Sequence, residues 1–232
     1  MTGRPRVHHR VTDSTNERAK ELACKGAPHG TLVTADEQSA GRGRQGREWT
    51  APAGTAVLMS VVLRDLGEAQ ELVPMAAAVA VCEAAEALAP VQCRVKWPND
   101  VWVDGRKLAG ILIEGRPQEG WAVLGIGLNV TTTQFPSELA NIATSLAIAA
   151  PARPTTPSQV LEGLVSTLES RLGDAPARIL SAWRERDALR GSVVRWSDGE
   201  GTAAGIDDNG SLLVETESGT RALHAGEVHL LR

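Results

Sequence analysis

The chain has 232 residues, 42% of them hydrophobic, enough for a sizeable core in one large or two unequal domains. A formal net charge of -4 argues against a general nucleic-acid binder, which carries a basic surface. With one Phe, six Trp and no Tyr, the core has to be built mainly from Ala, Val, Leu and Ile.

Residues 1–6 read as a ragged end and Val7 to Val11 as a short strand. Ser14 and Glu17 fit a capping box, and Ala19, Leu22 and Ala23 give the helix that follows its apolar side. Gly26 is its expected C-cap. Gly30 to Gln38 contains a strand that runs into Gly41-Arg42-Gly43-Arg44-Gln45-Gly46-Arg47-Glu48-Trp49. Glycine lets backbone come close to a ligand, bare amides can form an anion nest, and guanidinium groups pair with phosphate or carboxylate. An indole can stack on a purine. A basic loop on an acidic chain suits a small anionic ligand, though a loop of this kind can also serve solubility alone.

Thr55 to Leu63 reads as a buried strand and Glu71 to Leu88 as an Ala-rich helix on a sheet, ended by Pro90. From Arg94 to Glu114 the pattern is strand, Pro-Asn turn, strand, Asp-Gly hairpin, strand, with Lys96 and Asp100 on either side of the first turn. Lys107 follows the hairpin beside Leu108 and Ala109, where partial desolvation would strengthen its attraction for an anion. An edge lysine is also a common solubility device. Trp121 to Val130 is a further strand; Gly125 and Gly127 leave one side bare, as if something lies against it, and Asn129 points to that side. Residues 151–158 form a connector, and Val160 to Leu172 and Ala177 to Leu189 read as amphipathic helices. From Gly191 onward, short strands and Gly turns predict a compact all-β unit, so the expected division is 1–190 and 191–232.

Cys24, Cys82 and Cys93 have no zinc-ligand spacing and are expected to be small buried hydrophobes in a reducing compartment. The N-terminus lacks a signal-peptide core, and the longest apolar run, Met75 to Cys82, is too short to span a bilayer. A cytoplasmic protein without membrane contact is expected.

Ser14-Thr15-Asn16, the Gly/Arg loop, Lys96-Trp97-Pro98-Asn99-Asp100, Lys107 to Leu112, Gly125 to Val130 and Ala143-Thr144-Ser145-Leu146 occur in one order. Together they resemble the biotin–protein ligases over residues 7–232. The resemblance implies an α+β fold: a mixed β-sheet catalytic domain flanked by helices, followed by a small SH3-like β-barrel. It also implies a two-step reaction in which biotin and ATP give biotinoyl-5′-AMP, and a lysine of a biotin carboxyl carrier domain then takes the biotin. Mg2+ is expected with ATP, and no residue is assigned as a metal ligand.

By the same resemblance Ser14, Thr15, Asn16 and Gln38 line the biotin ring pocket. The backbone of Arg42 and Gly43 closes over biotin, and Arg44 holds the phosphate side of the adenylate. Trp49 covers the adenine and Asn129 contacts the nucleotide. Lys107 is the first choice for the reacting carboxyl and α-phosphate, with Lys96 and Asp100 second; Asp100 could orient a lysine or the metal. About a dozen residues precede Ser14, too few for a DNA-binding domain, so no DNA partner is expected. An exposed strand could pair two copies as a homodimer.

Competing readings are a lipoate–protein ligase or octanoyltransferase, and a non-catalytic nucleotide sensor. A P-loop NTPase is not expected, since no G-x-x-x-x-G-K-[S/T] is present.

Overall fold

The computed structural model describes residues 2–65, 71–224, 226 and 228–231. The first sheet is built from β1 (Arg6–Thr12), β2 (Leu32–Gln38), β3 (Ala56–Arg64), β4 (Cys93–Lys96), β5 (Asp100–Val103), β6 (Arg106–Arg116) and β7 (Trp121–Asn129). Its order is β1-β2-β3-β7-β6-β5-β4. β1 and β2 run parallel, joined by helix α1 (Thr15–Cys24), and the other pairs are antiparallel.

β3 is buried on both sides because each face has its own cover. Val57, Met59, Val61 and Leu63 face the main core, with α2 (Val73–Leu88) and α4 (Pro157–Leu172). Val62 faces a smaller core under α1 with Ala19, Ala23, Val33, Trp121 and Val123. The Ala-rich α2 packs on β4, β5 and β6 on one side and on α4 and α5 (Pro176–Arg184) on the other. Its small side chains permit that double contact. Burying each Val or Leu here contributes roughly 1.5–3 kcal/mol.

Five expectations are corrected. The first residues are docked, not ragged: Thr2 is buried, Gly3 N donates to Gly30 O, and Leu32 N donates to Pro5 O. Ser14 occupies the N-cap of α1 but its side chain caps nothing; Glu17 bonds to Lys20 and Arg42 instead of closing a capping box. Gly26, in the left-handed region at φ +85°, follows the C-cap Lys25 rather than being it. Helix α5 ends at Arg184, five residues early, because residues 186–188 turn to pair with β4: Val95 N donates to Arg186 O and Ala188 N to Val95 O. That contact was not visible in the apolar periodicity, and it covers the sheet's β4 edge. Finally, Cys82 and Cys93 are buried, whereas Cys24 is exposed at the end of α1.

A short helix, α3 (Leu146–Ala149), is capped by Ser145, whose Oγ accepts from Ile148 N at 3.2 Å. The second sheet comprises β8 (Val193–Trp196), β9 (Gly199–Ile206), β10 (Leu212–Thr216), β11 (Gly219–Leu223) and β12 (His229–Leu230). It is antiparallel in the order β11-β10-β9-β8-β12. Its turn Asp207–Ser211 reaches the first sheet, where Trp97 Nε1 donates to Gly210 O at 3.0 Å.

Candidate active site

Strand register builds the site. Ser60, Gly125 and Leu112 form one row across β3, β7 and β6; Leu58, Gly127, Gly110, Asp100 and Lys96 form the next. The two glycines Gly127 and Gly110 are neighbours in the second row and open a trough. Trp49 lies in it: a Cβ on Gly127 would come within 2.4 Å of the indole and one on Gly110 within 3.1 Å. In the first row, a Cβ on Gly125 would sit 2.2 Å from Asn16 Oδ1. The bare side of β7 is therefore covered by Trp49 and Asn16.

Ser14, Thr15, Asn16, Gln38, Arg42, Gly43, Arg44, Trp49, Lys96, Asp100 and Lys107 all line one cavity over these rows. Asn129 is absent from that lining; it is buried at the end of β7, and its Nδ2 donates to Thr144 O at 3.0 Å.

At one end the cavity is buried and neutral. Thr15 N donates to Gln38 Oε1 at 2.7 Å, and Thr15 Oγ1 to the same atom at 3.0 Å. Ser60 Oγ lies 2.8 Å from Thr15 Oγ1 and 2.6 Å from Asn16 Oδ1. Asn16 Nδ2 donates to Glu114 Oε2 at 2.8 Å. Neither Ser60 nor Glu114 was singled out in the sequence. Ser60 does leave a signal, as the lone polar residue within the apolar run Ala56 to Leu63. Glu114 leaves none, because its place depends on the order of β7 and β6.

The other end is cationic. Lys107 Nζ is 2.7 Å from Asp100 Oδ1 and 5.7 Å from the centroid of a Trp49 ring. Lys96 packs over Trp102 at 5.4 Å. Burial, together with the charges of Lys107 and Arg47, lowers the Lys96 pKa below its ordinary value against the pull of Asp100. Burial also lowers that of Arg44, although a guanidinium remains charged. Arg44 is weakly held: Nη1 lies 3.5 Å from Asn99 Oδ1 and Nη2 3.4 Å from Gly226 O. Trp49 Nε1 is buried without an acceptor among the described residues. These are donors and charges with capacity left over for an anionic guest.

The Gly/Arg loop is short and tethered. A single 3-10 turn at Arg44–Gly46 carries Gln45 and Gly46 into the left-handed region. Arg42 Nη1 is 3.0 Å from Glu17 Oε1, and Lys20 Nζ lies 2.9 Å from Glu17 and 2.6 Å from Glu114.

Residues 8–130 match the biotin/lipoate A/B protein ligase family, and residues 198–231 match the biotin protein ligase C terminal domain. The bifunctional ligase/repressor BirA of Bacillus subtilis is 37% identical across 99% of this chain and 75% of its own length. The biotin--[acetyl-CoA-carboxylase] ligase of Mycobacterium tuberculosis is 37% identical across 95% of this chain and 87% of its own. The chain belongs to the biotin protein ligase family. The solved biotin protein ligase of Aquifex aeolicus in complex with biotin and ATP shares the fold, with a TM-score of 0.87, 27% identity and 99% of each chain covered. The match at the C-terminal end is to a domain described as that of biotin protein ligases. Among the described residues, no helix is long and apolar enough to cross a membrane.

Proposed function

We propose that this ligase joins biotin to ATP as biotinoyl-5′-AMP and then passes biotin to a lysine of a biotin carboxyl carrier domain. The observation that carries this reading is the junction, within one cavity, of a neutral acceptor-rich floor and a cationic mouth. The floor of Thr15, Asn16 and Gln38, backed by the buried Ser60, suits a ureido ring, which is uncharged and carries N–H donors. The mouth suits the two anions that must meet, a carboxylate and an α-phosphate.

In the first step a carboxylate oxygen of biotin forms a bond to the α-phosphorus, and the bond to pyrophosphate breaks. No enzyme nucleophile is needed. The chain's task is to bring two anions together and to steady the charge that accumulates. Lys107 is the group for that charge, with Asp100 orienting its ammonium. Lys96 adds a second cation, and Arg44 takes the phosphate side. Trp49 covers the adenine in this reading, whereas Asn129, outside the cavity and bonded to Thr144 O, is given no contact with the nucleotide. The loop backbone at Arg42 and Gly43 closes over biotin, keeping water from the anhydride. In the second step a neutral lysine amine of the carrier attacks the acyl carbon, AMP leaves, and the amine's proton passes to solvent.

Mg2+ would arrive with ATP and neutralise its phosphates. Asp100, a carboxylate in the wall, would be the residue to hold such an ion, and the ion would supply charge neutralisation at the phosphates.

Pyrophosphate release tests the substrate. Biotin should drive it with MgATP, while lipoate and octanoate should not; equal release with lipoate would overturn the assignment of the floor.

A further inference from the structure

The hydrogen-bonded floor has a polarity, and one residue outside it sets that polarity. Three short contacts link Gln38, Thr15, Ser60 and Asn16 side chains: 3.0 Å, 2.8 Å and 2.6 Å. The hydroxyls of Thr15 and Ser60 each bring a single hydrogen. Gln38 Oε1 is fixed as an acceptor, because the Thr15 backbone N–H points at it. Asn16 is symmetric in shape, and turning its carboxamide over would replace the oxygen facing Ser60 by an NH2. What decides its direction is Glu114, since an ionised carboxylate can only accept and so demands Nδ2.

Glu114 is held ionised. Burial pushes its carboxyl up, but hydrogen bonds from Asn16 and Lys20, with the charges of Lys20 and Arg42, outweigh that and hold it below the ordinary 4.5. Its Oε1 takes Lys20 Nζ at 2.6 Å, while Oε2 takes Asn16.

We propose that Glu114 is a positioning residue that locks the Asn16 carboxamide with Oδ1 toward the cavity, making the floor an acceptor for ligand N–H groups. The inference rests on the reading above that the ligand is biotin, whose ureido nitrogens carry such hydrogens. The side-chain oxygens of Thr15, Ser60 and Asn16 offer more acceptor sites than their hydroxyls have hydrogens, so a guest that donates completes that part of the floor. Glu114 touches no substrate in this account; it acts through Asn16. Lys20 supplies the countercharge.

The test is Glu114→Gln, nearly the same shape: Lys20 Nζ would claim its amide oxygen, leaving the NH2 toward Asn16 and so favouring the reversed carboxamide. The KM for biotin in adenylate formation should rise about ten- to a hundredfold, as for loss of a charge-assisted bond. The kcat should stay within about twofold, since only ground-state binding is altered. Lys20→Met keeps the Asn16 contact and should shift KM by no more than about threefold, less than one such bond is worth. The double variant Asn16→Asp/Glu114→Gln restores a fixed acceptor facing Ser60, with the amide of position 114 now donating, and should recover most of the lost affinity.

An unchanged KM in Glu114→Gln would overturn the proposal. So would a joint fall in kcat, affinity and melting temperature without recovery in the double variant, which would make Glu114 only a structural bridge. A second readout needs no biotin: the Asn16 side-chain NH2 proton bonded to Glu114 should be shifted and exchange-protected in ligand-free protein, and should lose both properties in Glu114→Gln. If the wild-type chain bound no biotin, the proposed function would fail, and these NH2 signals alone would still decide whether Glu114 locks Asn16.

Discussion

At Gly125 the absence of a single methyl group keeps the floor open. A Cβ there would sit 2.2 Å from Asn16 Oδ1, a distance no side chain tolerates, and the obstruction is a polar atom held by Ser60 and Glu114. Gly125→Ala should therefore displace Asn16 and weaken biotin binding at least about tenfold, the loss of one good hydrogen bond. Titration calorimetry reads this directly, and wild-type affinity would show that Asn16 is not part of the floor. Lys107 makes a different kind of contribution. Its charge sits where negative charge gathers, so Lys107→Ala should slow single-turnover adenylation about 100- to 1,000-fold. A rate within threefold of wild type, too small a loss for that role, would make it an ordinary lysine. Glu114 also carries a pH sign. Its folded pKa lies below the unfolded value, so its stabilisation is present above 4.5 and is lost as pH falls through the folded value. In Glu114→Gln that part of the acid destabilisation should be missing from thermal melts taken down the pH range.

The Gly/Arg loop shows how far an element could be read from its residues. Its glycines, arginines and indole led to the expectation of an anion site, and the structure brings most of them to the wall of one cavity. What they could not announce was the loop's resting place. Trp49 lies over Gly127 and Gly110, which neighbour each other only because β6 and β7 pair in that register. Arg42 is held by Glu17, a residue read as part of a capping box. The turn-and-strand pattern from Arg94 to Glu114 was legible because its Pro-Asn and Asp-Gly punctuation is local. The premature end of α5 was not, since Arg186 leaves the helix to bond a strand nearly a hundred positions away. The tethers also bear on dynamics: the loop starts from a held state, and ligand should tighten it further. Amide exchange over residues 41–48 should slow when biotinoyl-AMP is bound; identical exchange in both states would mean that the loop takes no part in closure. Arg44, with contacts of 3.4 and 3.5 Å, has the most to gain from a phosphate. Arg44→Gly should still form the adenylate but release it roughly ten- to a hundredfold faster.

On the scale of the whole molecule, the second sheet is part of the site's architecture. Its Asp207–Ser211 turn brings Gly210 against Met75 and gives Trp97 an acceptor, and Gly226 O meets Arg44. Gly210 has φ +83°, and a Cβ there would come within 2.5 Å of the Met75 methyl group. Gly210→Ala should lower the melting temperature by a few degrees, as about 1–2 kcal/mol does in a chain of this size. An unchanged melt would mean that the two sheets do not support each other through this turn. The order of the strands, the row of glycines and the meeting of the two sheets are all long-range facts, which local patterns do not encode. The residues of the cavity were nevertheless nearly all named beforehand, because chemistry concentrates unusual residues in short motifs.

The account's central claim is a transfer to one lysine. Intact-mass spectrometry of a biotin carboxyl carrier domain, incubated with this protein, biotin and MgATP, tests it most directly. The predicted result is a single added biotinyl group that needs all three components and disappears when the acceptor lysine is changed to arginine. A carrier of unchanged mass, with folded protein and saturating substrates, would contradict the account.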